Sequence, residues 1–263
     1  MLKCPPERII CLSNETVETI YLLGEEKRIV GVTGFAVRPM QVRREKPRIS
    51  SFKSANIAEI LDLKPDIIFT FSDVQAELSR DLIHAGLNVF CFNQRSVAGI
   101  LSMITMIGAM LNCWEKAEGL TNEIKKNIQK CRSTKLMQSP KVYFEEWDEP
   151  LISGIRWVSE IIEIAGGKDI FSKKSLLYKA ENRCIGLNEV IRENPDIIIA
   201  SWCGKKVDFS KISSRNGWQN INAVKFQNIY EINSMEILQP GPAALTDGLA
   251  RVRNIILGFQ GGV

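Results

Sequence analysis

Two stretches of the chain carry nearly the same order of apolar and polar positions. Ile57 to Ser72 reads IAEILDLKPDIIFTFS, and Leu187 to Trp202 reads LNEVIRENPDIIIASW. Aligned on Pro65 and Pro195, each predicts a short amphipathic helix, a Pro-Asp turn and a buried strand. Each strand then runs into an aromatic residue, Phe71 or Trp202. The pattern around them predicts further strands at Arg8–Ser13, Arg28–Thr33, Asn88–Phe92, Lys141–Glu146 and Asn228–Ile232. Asn14 fits an N-cap, followed by the apolar stripe Val17, Ile20, Tyr21 and Leu23 and a stop at Gly24. Helices are also predicted over Val74–Ala85, from Ser153-Gly154-Ile155-Arg156-Trp157 to Gly166-Gly167, and after Gln239-Pro240-Gly241-Pro242. Gly34 to Pro39 must be loop, and Arg43 to Arg48 reads as a basic connection.

The middle of the chain differs. From Val97 to about Arg132 there is no proline, and Ile100, Ile104, Ile107, Leu111, Trp114, Leu120, Ile124 and Ile128 recur at helical spacing. This predicts roughly 30 residues of helix, with Gly108 or Asn112 as the bend point. The expected fold class is α/β, with two Rossmann-like lobes of mainly parallel sheet joined by one long rigid helix. The expected boundaries are 1–95 for the N-terminal lobe, 96–138 for the connecting helix and 139–263 for the C-terminal lobe. Ligands of open α/β sheets sit beyond the carboxyl ends of the strands. A cleft between the lobes is therefore expected, with Phe71 and Trp202 near its walls.

Composition narrows the function. With 45% hydrophobic and 24% charged residues the chain has material for real cores, which excludes disorder. The net charge of +4 is mild and spread out, with Arg43-Arg44 and Lys173-Lys174 as the densest pairs, so a nucleic-acid partner is not expected. Seven cysteines form no C-x-x-C pair, which suggests reduced thiols and a reducing compartment. The chain reaches Pro5-Pro6-Glu7-Arg8 without an apolar signal core, and no run of about 18 apolar residues offers a membrane span. A cytoplasmic chain without membrane insertion is expected, with a periplasmic chain whose leader has been removed as the alternative.

Candidate chemistry is sparse. The single histidine, His84, sits on a helix beside Ala85-Gly86, where a surface or packing role is commoner than ligation. There is no zinc-type cluster, no nucleophile–histidine motif, no Walker loop and no G-x-G-x-x-G after a strand. No catalytic residue, metal site or required cofactor is expected. Glu145, Glu146, Asp148 and Glu149 form a dense acidic run, fit either for acid–base or metal chemistry or for a hydrogen-bonding rim at a strand end. Phe35, Phe52, Phe71, Trp147, Trp157 and Trp202 stand near strand ends. Each has a core-packing reading, but together they suit the walls of a pocket for a large, flat, partly apolar ligand.

The sequence resembles the helical-backbone (class III) substrate-binding proteins of ABC importers for vitamin B12 and ferric siderophores, and most of all the cobalamin-binding members. The resemblance runs through RIICLSNET, RIVGVTGFAVRP, ANIAEI with KPDII, WDEPLISG, the AGG helix end, the second PDII and QPGPAALTDGL. It implies a non-enzymatic, monomeric binder holding a corrinoid between the lobes. Position by position, it implies aromatic contacts from Phe35, Phe52 and Phe71. It also implies that Ile155, Arg156 and Trp157 face the ligand, with Trp202 and Gln239 in loops on the same side. Arg156, Glu146 and Gln239 would meet the amide and phosphate groups, with Trp147 beside them. A siderophore or haem-like ligand, or a chelatase-type tetrapyrrole enzyme using His84, are the alternatives. Transported family members carry a permease-docking glutamate in each lobe, seven residues before the Pro-Asp turn. Here those positions are Ala58 and Asn188, so docking to an ABC permease is doubtful. Glu59 and Glu189 come one residue later, about 100° round a helix.

Overall fold

The computed structural model describes residues 3–51, 54–134 and 138–259. The chain forms two compact units, one of Met1–Gln94 with Ala98–Glu123, the other of Arg95–Val97 with Ile124–Val263. The first unit holds β1 (Ile9–Cys11), β2 (Ile29–Thr33), β3 (Arg48–Ser50), β4 (Ile67–Phe71) and β5 (Val89–Phe92), all parallel, in the order β3-β2-β1-β4-β5. On one face of the sheet Ile10, Leu12, Ile49, Ile60, Ile68, Leu78 and Leu82 form a buried cluster. Ile9, Cys11 and Phe69 are buried too, which accounts for strands that are apolar at nearly every position.

The second unit holds β6 (Lys141–Asp148), β7 (Leu151–Ser153), β8 (Lys168–Asp169), β9 (Ile197–Ala200) and β10 (Ile229–Glu231). The order is β10-β9-β6-β7, and β8 also pairs with β6; all pairs are parallel except β6–β7. Its core gathers Tyr143, Phe171, Val190, Ile198, Trp202, Ile212 and Trp218. Both units are thus α/β with parallel-rich sheets, as the alternating pattern predicts.

The doubled Pro-Asp segments have one structural purpose. Asp66 Oδ2 accepts from the amides of Glu7 and Arg8 at 2.8 and 2.9 Å, and its own amide donates to the Arg8 carbonyl. Asp196 Oδ2 accepts from the Lys141 amide at 2.9 Å, and its amide donates to the Lys141 carbonyl. Each aspartate therefore fixes the entry of the unit's central strand. The residue before each proline, Lys64 or Asn194, has a positive φ that closes the preceding helix.

Four expectations are corrected. The single connecting helix is two, Val97–Met110 and Trp114–Ser133, parted at Asn112 with φ +55°. Their junction is tight: a Cβ on Gly108 would lie 2.2 Å from that of Ala117, so only glycine fits there. Asn14 is not the N-cap of helix Asn14–Leu22 but its first residue, Ser13 holding the cap position. The basic connection opens in a short helix, Val42–Glu45, and ends on the first residue of β3, a strand whose three residues give no readable alternation. The strand expected to end at Glu146 continues to Asp148 and turns through Pro150 into β7, so Trp147 and Leu151–Ser153 form a hairpin.

Candidate ligand-binding site

In the first unit the strand order reverses between β1 and β4, the place where open α/β sheets leave a crevice at their carboxyl ends. One side chain ties the two exits together. Gln75 accepts from the Phe71 amide at 2.8 Å and donates to the Leu12 carbonyl at 2.9 Å. Ser72, directly after β4, has φ +55° and ψ −175°, a region nearly confined to glycine. Phe71 is half-buried.

Beyond β2, Gly34 donates to the Ser50 carbonyl at 2.7 Å, and a side chain there would sit 2.9 Å from that oxygen. The following loop is suspended from helix Asn14–Leu22. Asn14 Oδ1 accepts from the amides of Val37 and Arg38 at 3.0 and 3.4 Å, and Arg38 pairs with Glu18 at 3.0 Å. Phe35 is 53% exposed at the tip of this arrangement. Phe52 lies outside the described residues.

Helix Asn14–Leu22 is buried from Asn14 to Ile20, although five of those seven residues are polar. Two atoms at its start are buried without a partner, Asn14 Nδ2 and Glu15 Oε1. Burial, opposed by the Glu15 backbone amide and the Ser13 hydroxyl and aided by the Glu18 charge, pushes the Glu15 carboxyl up to about 7.

In the second unit the acidic run is neutralised residue by residue. Glu145 is fully buried, and Arg215 grips it with two bonds of 2.5 and 2.9 Å; Trp202 Nε1 and Tyr143 Oη each donate to it at 3.1 Å. Glu146 receives two bonds from Arg183 at 2.6 and 2.8 Å, and Arg183 also donates to the Ser153 carbonyl. Asp148 holds Lys205 at 2.6 Å and Lys211 at 2.7 Å, and Lys211 also reaches Glu149 at 2.9 Å. Burial works to raise the Asp148 carboxyl, but the two lysines outweigh it and hold it at about 2. Of the two readings of this run, the hydrogen-bonding rim is the one realised. Among the described residues no group of His, Cys, Asp and Glu could hold a metal ion, and His84 is exposed at a helix end.

The remaining expected residues separate into two kinds. Trp202 and Trp157 are 3% and 4% exposed. Trp202 belongs to the core beside Glu145, and Trp157 donates its Nε1 to the Ile237 carbonyl at 2.9 Å. Ile155 is buried at the N-cap position of helix Arg156–Ile164. Trp147 is half-buried, with Lys205 Nζ lying 4.3 Å from its ring centroid and 4.8 Å from that of Trp202. Arg156 pairs with Glu160 at 2.8 Å and is partly exposed. Gln239 donates to Met235 Sδ at 3.3 Å, while its Oε1 is buried without a partner. Arg183, Arg215, Gln75 and the loop-tying role of Asn14 gave no sequence signal of their own. The one available hint was that four clustered carboxylates require counter-charges.

The glutamates next to Ala58 and Asn188 are held at helix starts. Asn56 Oδ1 accepts from the amides of Ala58 and Glu59, and Asn56 Nδ2 donates to Glu59 Oε1 at 2.9 Å. Glu189 Oε1 accepts from the Gly186 amide at 2.9 Å, and that bond together with Lys174 lowers its carboxyl pKa. Both glutamates thus serve their own helix starts. Ala58 and Asn188 are exposed beside them.

Comparison with known proteins agrees with this architecture. The chain is 23% identical over 252 residues to the uncharacterized ABC transporter substrate-binding lipoprotein YvrC of Bacillus subtilis, covering 92% of this chain and 77% of that protein. It is 24% identical over 247 residues to the vitamin B12-binding protein of Vibrio cholerae, covering 92% and 86% respectively. The crystal structure of a possible iron-binding (periplasmic solute-binding) protein from Staphylococcus epidermidis superposes with a TM-score of 0.82 at 26% identity, over 96% of this chain and 99% of that one. No helix among the described residues is long and apolar enough to cross a membrane. With the periplasmic binding protein family matching residues 9–235, the chain belongs to that family and is a substrate-binding protein rather than an enzyme.

Proposed function

We propose that the protein binds a cobalamin or related corrinoid through residues at the carboxyl ends of its strands. The observation that carries this reading is charge balance. Arg156, Arg183, Lys205, Lys211 and Arg215, five cations near the candidate residues of the second unit, each have a carboxylate partner. These five cations, locally neutralised, offer little net positive charge for an anionic siderophore or for haem propionates. That balance suits a large neutral ligand with many amides, and the vitamin B12-binding relative in Vibrio cholerae is in keeping with that. In this proposal Phe35, Phe71 and Trp147 give apolar contact, while Arg156 and Gln239 meet polar groups. Ile155, Trp157 and Trp202 pack behind them, and Glu146 orients the region through Arg183.

Titration with cyanocobalamin tests the reading. Binding tighter than about 100 μM, some 5–6 kcal/mol, is expected, with quenching of tryptophan fluorescence. No spectral or fluorescence change at that concentration, together with binding of haemin, would transfer the assignment to an iron-containing ligand. That second reading is favoured by the possible iron-binding protein of similar fold.

The proposal extends to the cellular setting. All seven cysteines are free thiols, three of them exposed. They fit a binder working in the cytoplasm, where thiols stay reduced. With Ala58 and Asn188 in place of docking glutamates, the binder is further proposed to act without a permease. Labelling in intact cells with a membrane-impermeant maleimide should leave Cys91 and Cys203 unmodified; modification would assign an exported receptor.

A further inference from the structure

One aromatic surface of the second unit already has an occupant. Strands β6 and β9 lie side by side in the sheet, with Glu145 paired to Ala200, so Trp147 and Trp202 stand at neighbouring carboxyl ends. Lys205 reaches back over both rings. Its Nζ lies 4.3 Å from the Trp147 ring centroid, 4.8 Å from that of Trp202 and 2.6 Å from Asp148 Oδ1. Trp147 meanwhile packs against the core cluster and donates its Nε1 to the Glu149 carbonyl at 2.9 Å. The ring face under the ammonium is therefore taken, and a flat ligand cannot stack on it while Lys205 stays.

Lys205 is placed to leave as well as to stay. Its side chain keeps 41% exposure, so the ammonium can return to water. Asp148, 1% exposed, would not be left as an unpaired buried charge, because its other oxygen holds Lys211 at 2.7 Å. The backbone carrying Lys205 is the surface turn Trp202-Cys203-Gly204-Lys205, closed by a long bond of 3.4 Å from the Lys205 amide to the Trp202 carbonyl. Gly204 within it has φ +78°, with no atom within 4 Å of the place a Cβ would take. Arg215 makes the contrast: 9% exposed on the fully buried Glu145, it has no such freedom. We propose that Lys205 is a displaceable cover on Trp147, lying on the indole in the free protein and swinging out as the ligand enters. The inference rests on Trp147 being a ligand contact under the corrinoid reading, and it adds to that reading a residue that tunes affinity and entry.

The test is equilibrium and stopped-flow titration of the full chain with cyanocobalamin, read by tryptophan quenching. Lys205→Ala should bind about tenfold tighter than the parent, since two cation–π contacts and an exposed ion pair no longer have to be broken. The gain should lie in the association rate, because the cover must leave before the ligand stacks. Lys205→Arg, which keeps both charge and stacking, should stay within about threefold of the parent. Trp147→Ala should weaken binding, and in that background Lys205→Ala should bring no gain, the two changes being coupled through one ring. Weaker binding by Lys205→Ala would make the lysine a ligand contact and overturn the cover. Unchanged binding, or a gain that survives in Trp147→Ala, would overturn it too. Each of those results leaves corrinoid binding standing, whereas absence of any cyanocobalamin binding by the parent would remove both readings. The two Lys205 variants alter only an exposed side chain and decide the matter without the Trp147 change.

Discussion

Glu15 illustrates what an unsatisfied residue costs. Its carboxyl stands at about 7 in the folded protein against an ordinary 4.5, chiefly because burial disfavours the charge. Between those values the folded state holds a proton that the unfolded chain has released, so stability declines as pH rises from 4.5 to 7. The size of the shift corresponds to about 3 kcal/mol. Glu15→Gln should raise the unfolding free energy by up to about that amount at pH 8, with little change at pH 4.5, as read by urea titration at both pH values. Equal stability of variant and parent at pH 8 would mean that the Glu15 charge is already compensated. Arg183 is a buried cation whose two terminal nitrogens both pair with Glu146, although its Nε has no partner. Arg183→Met leaves Glu146 without its partner and should cost about 3–5 kcal/mol in urea unfolding. The double variant Arg183→Met/Glu146→Leu should recover most of that loss, because an isolated charge is worse than none.

The two helices in the middle of the chain depend on a single contact between elements. A methyl group on Gly108 would collide with that of Ala117, and both Cβ atoms are fixed directly to helix backbones that cannot easily part. Gly108→Ala should therefore destabilise by about 1–3 kcal/mol, and adding Ala117→Gly should restore part of it, measured as shifts of the urea midpoint. The sequence flagged Gly108 and Asn112 but not the break itself, because apolar spacing continues through Leu111 and Trp114 whether the helix bends or stops. The helices before the Pro-Asp turns were legible for a different reason. Their cap, apolar stripe and stop lie within a few residues, so local chemistry decides them. Glu59 belongs to that local chemistry: Asn56→Ala should cost about 1 kcal/mol as the Asn56 N-cap on the Ala58 and Glu59 amides is lost. Ala58→Glu, on an exposed position, should stay within about 0.5 kcal/mol of the parent.

At the scale of the molecule, what could be read from sequence followed the range of the interaction. Parallel sheets follow from strand–helix alternation, and the paired Pro-Asp segments mark two equivalent strand entries. The pairing of the acidic run was hidden because Arg183 and Arg215 lie 37 and 70 residues from their carboxylates. Trp157 and Trp202 look like pocket walls in a sequence because an aromatic at a strand end is common to cores and pockets. Their hydrogen bonds to Ile237 and Glu145 show that both serve the interior. Those concealed pairs decide how a ligand is attracted. The net charge of +4 is small, and Arg183, Lys205 and Arg215 are neutralised locally. A neutral corrinoid should then bind with an affinity that changes less than about threefold between 20 and 500 mM salt, since exposed charges are largely screened over that range and paired ones contribute little. Calorimetric titration at the two ionic strengths measures this. A loss of about tenfold or more at high salt would reveal a net attraction to an anionic ligand group, and with it a haem- or siderophore-like specificity in place of a corrinoid one.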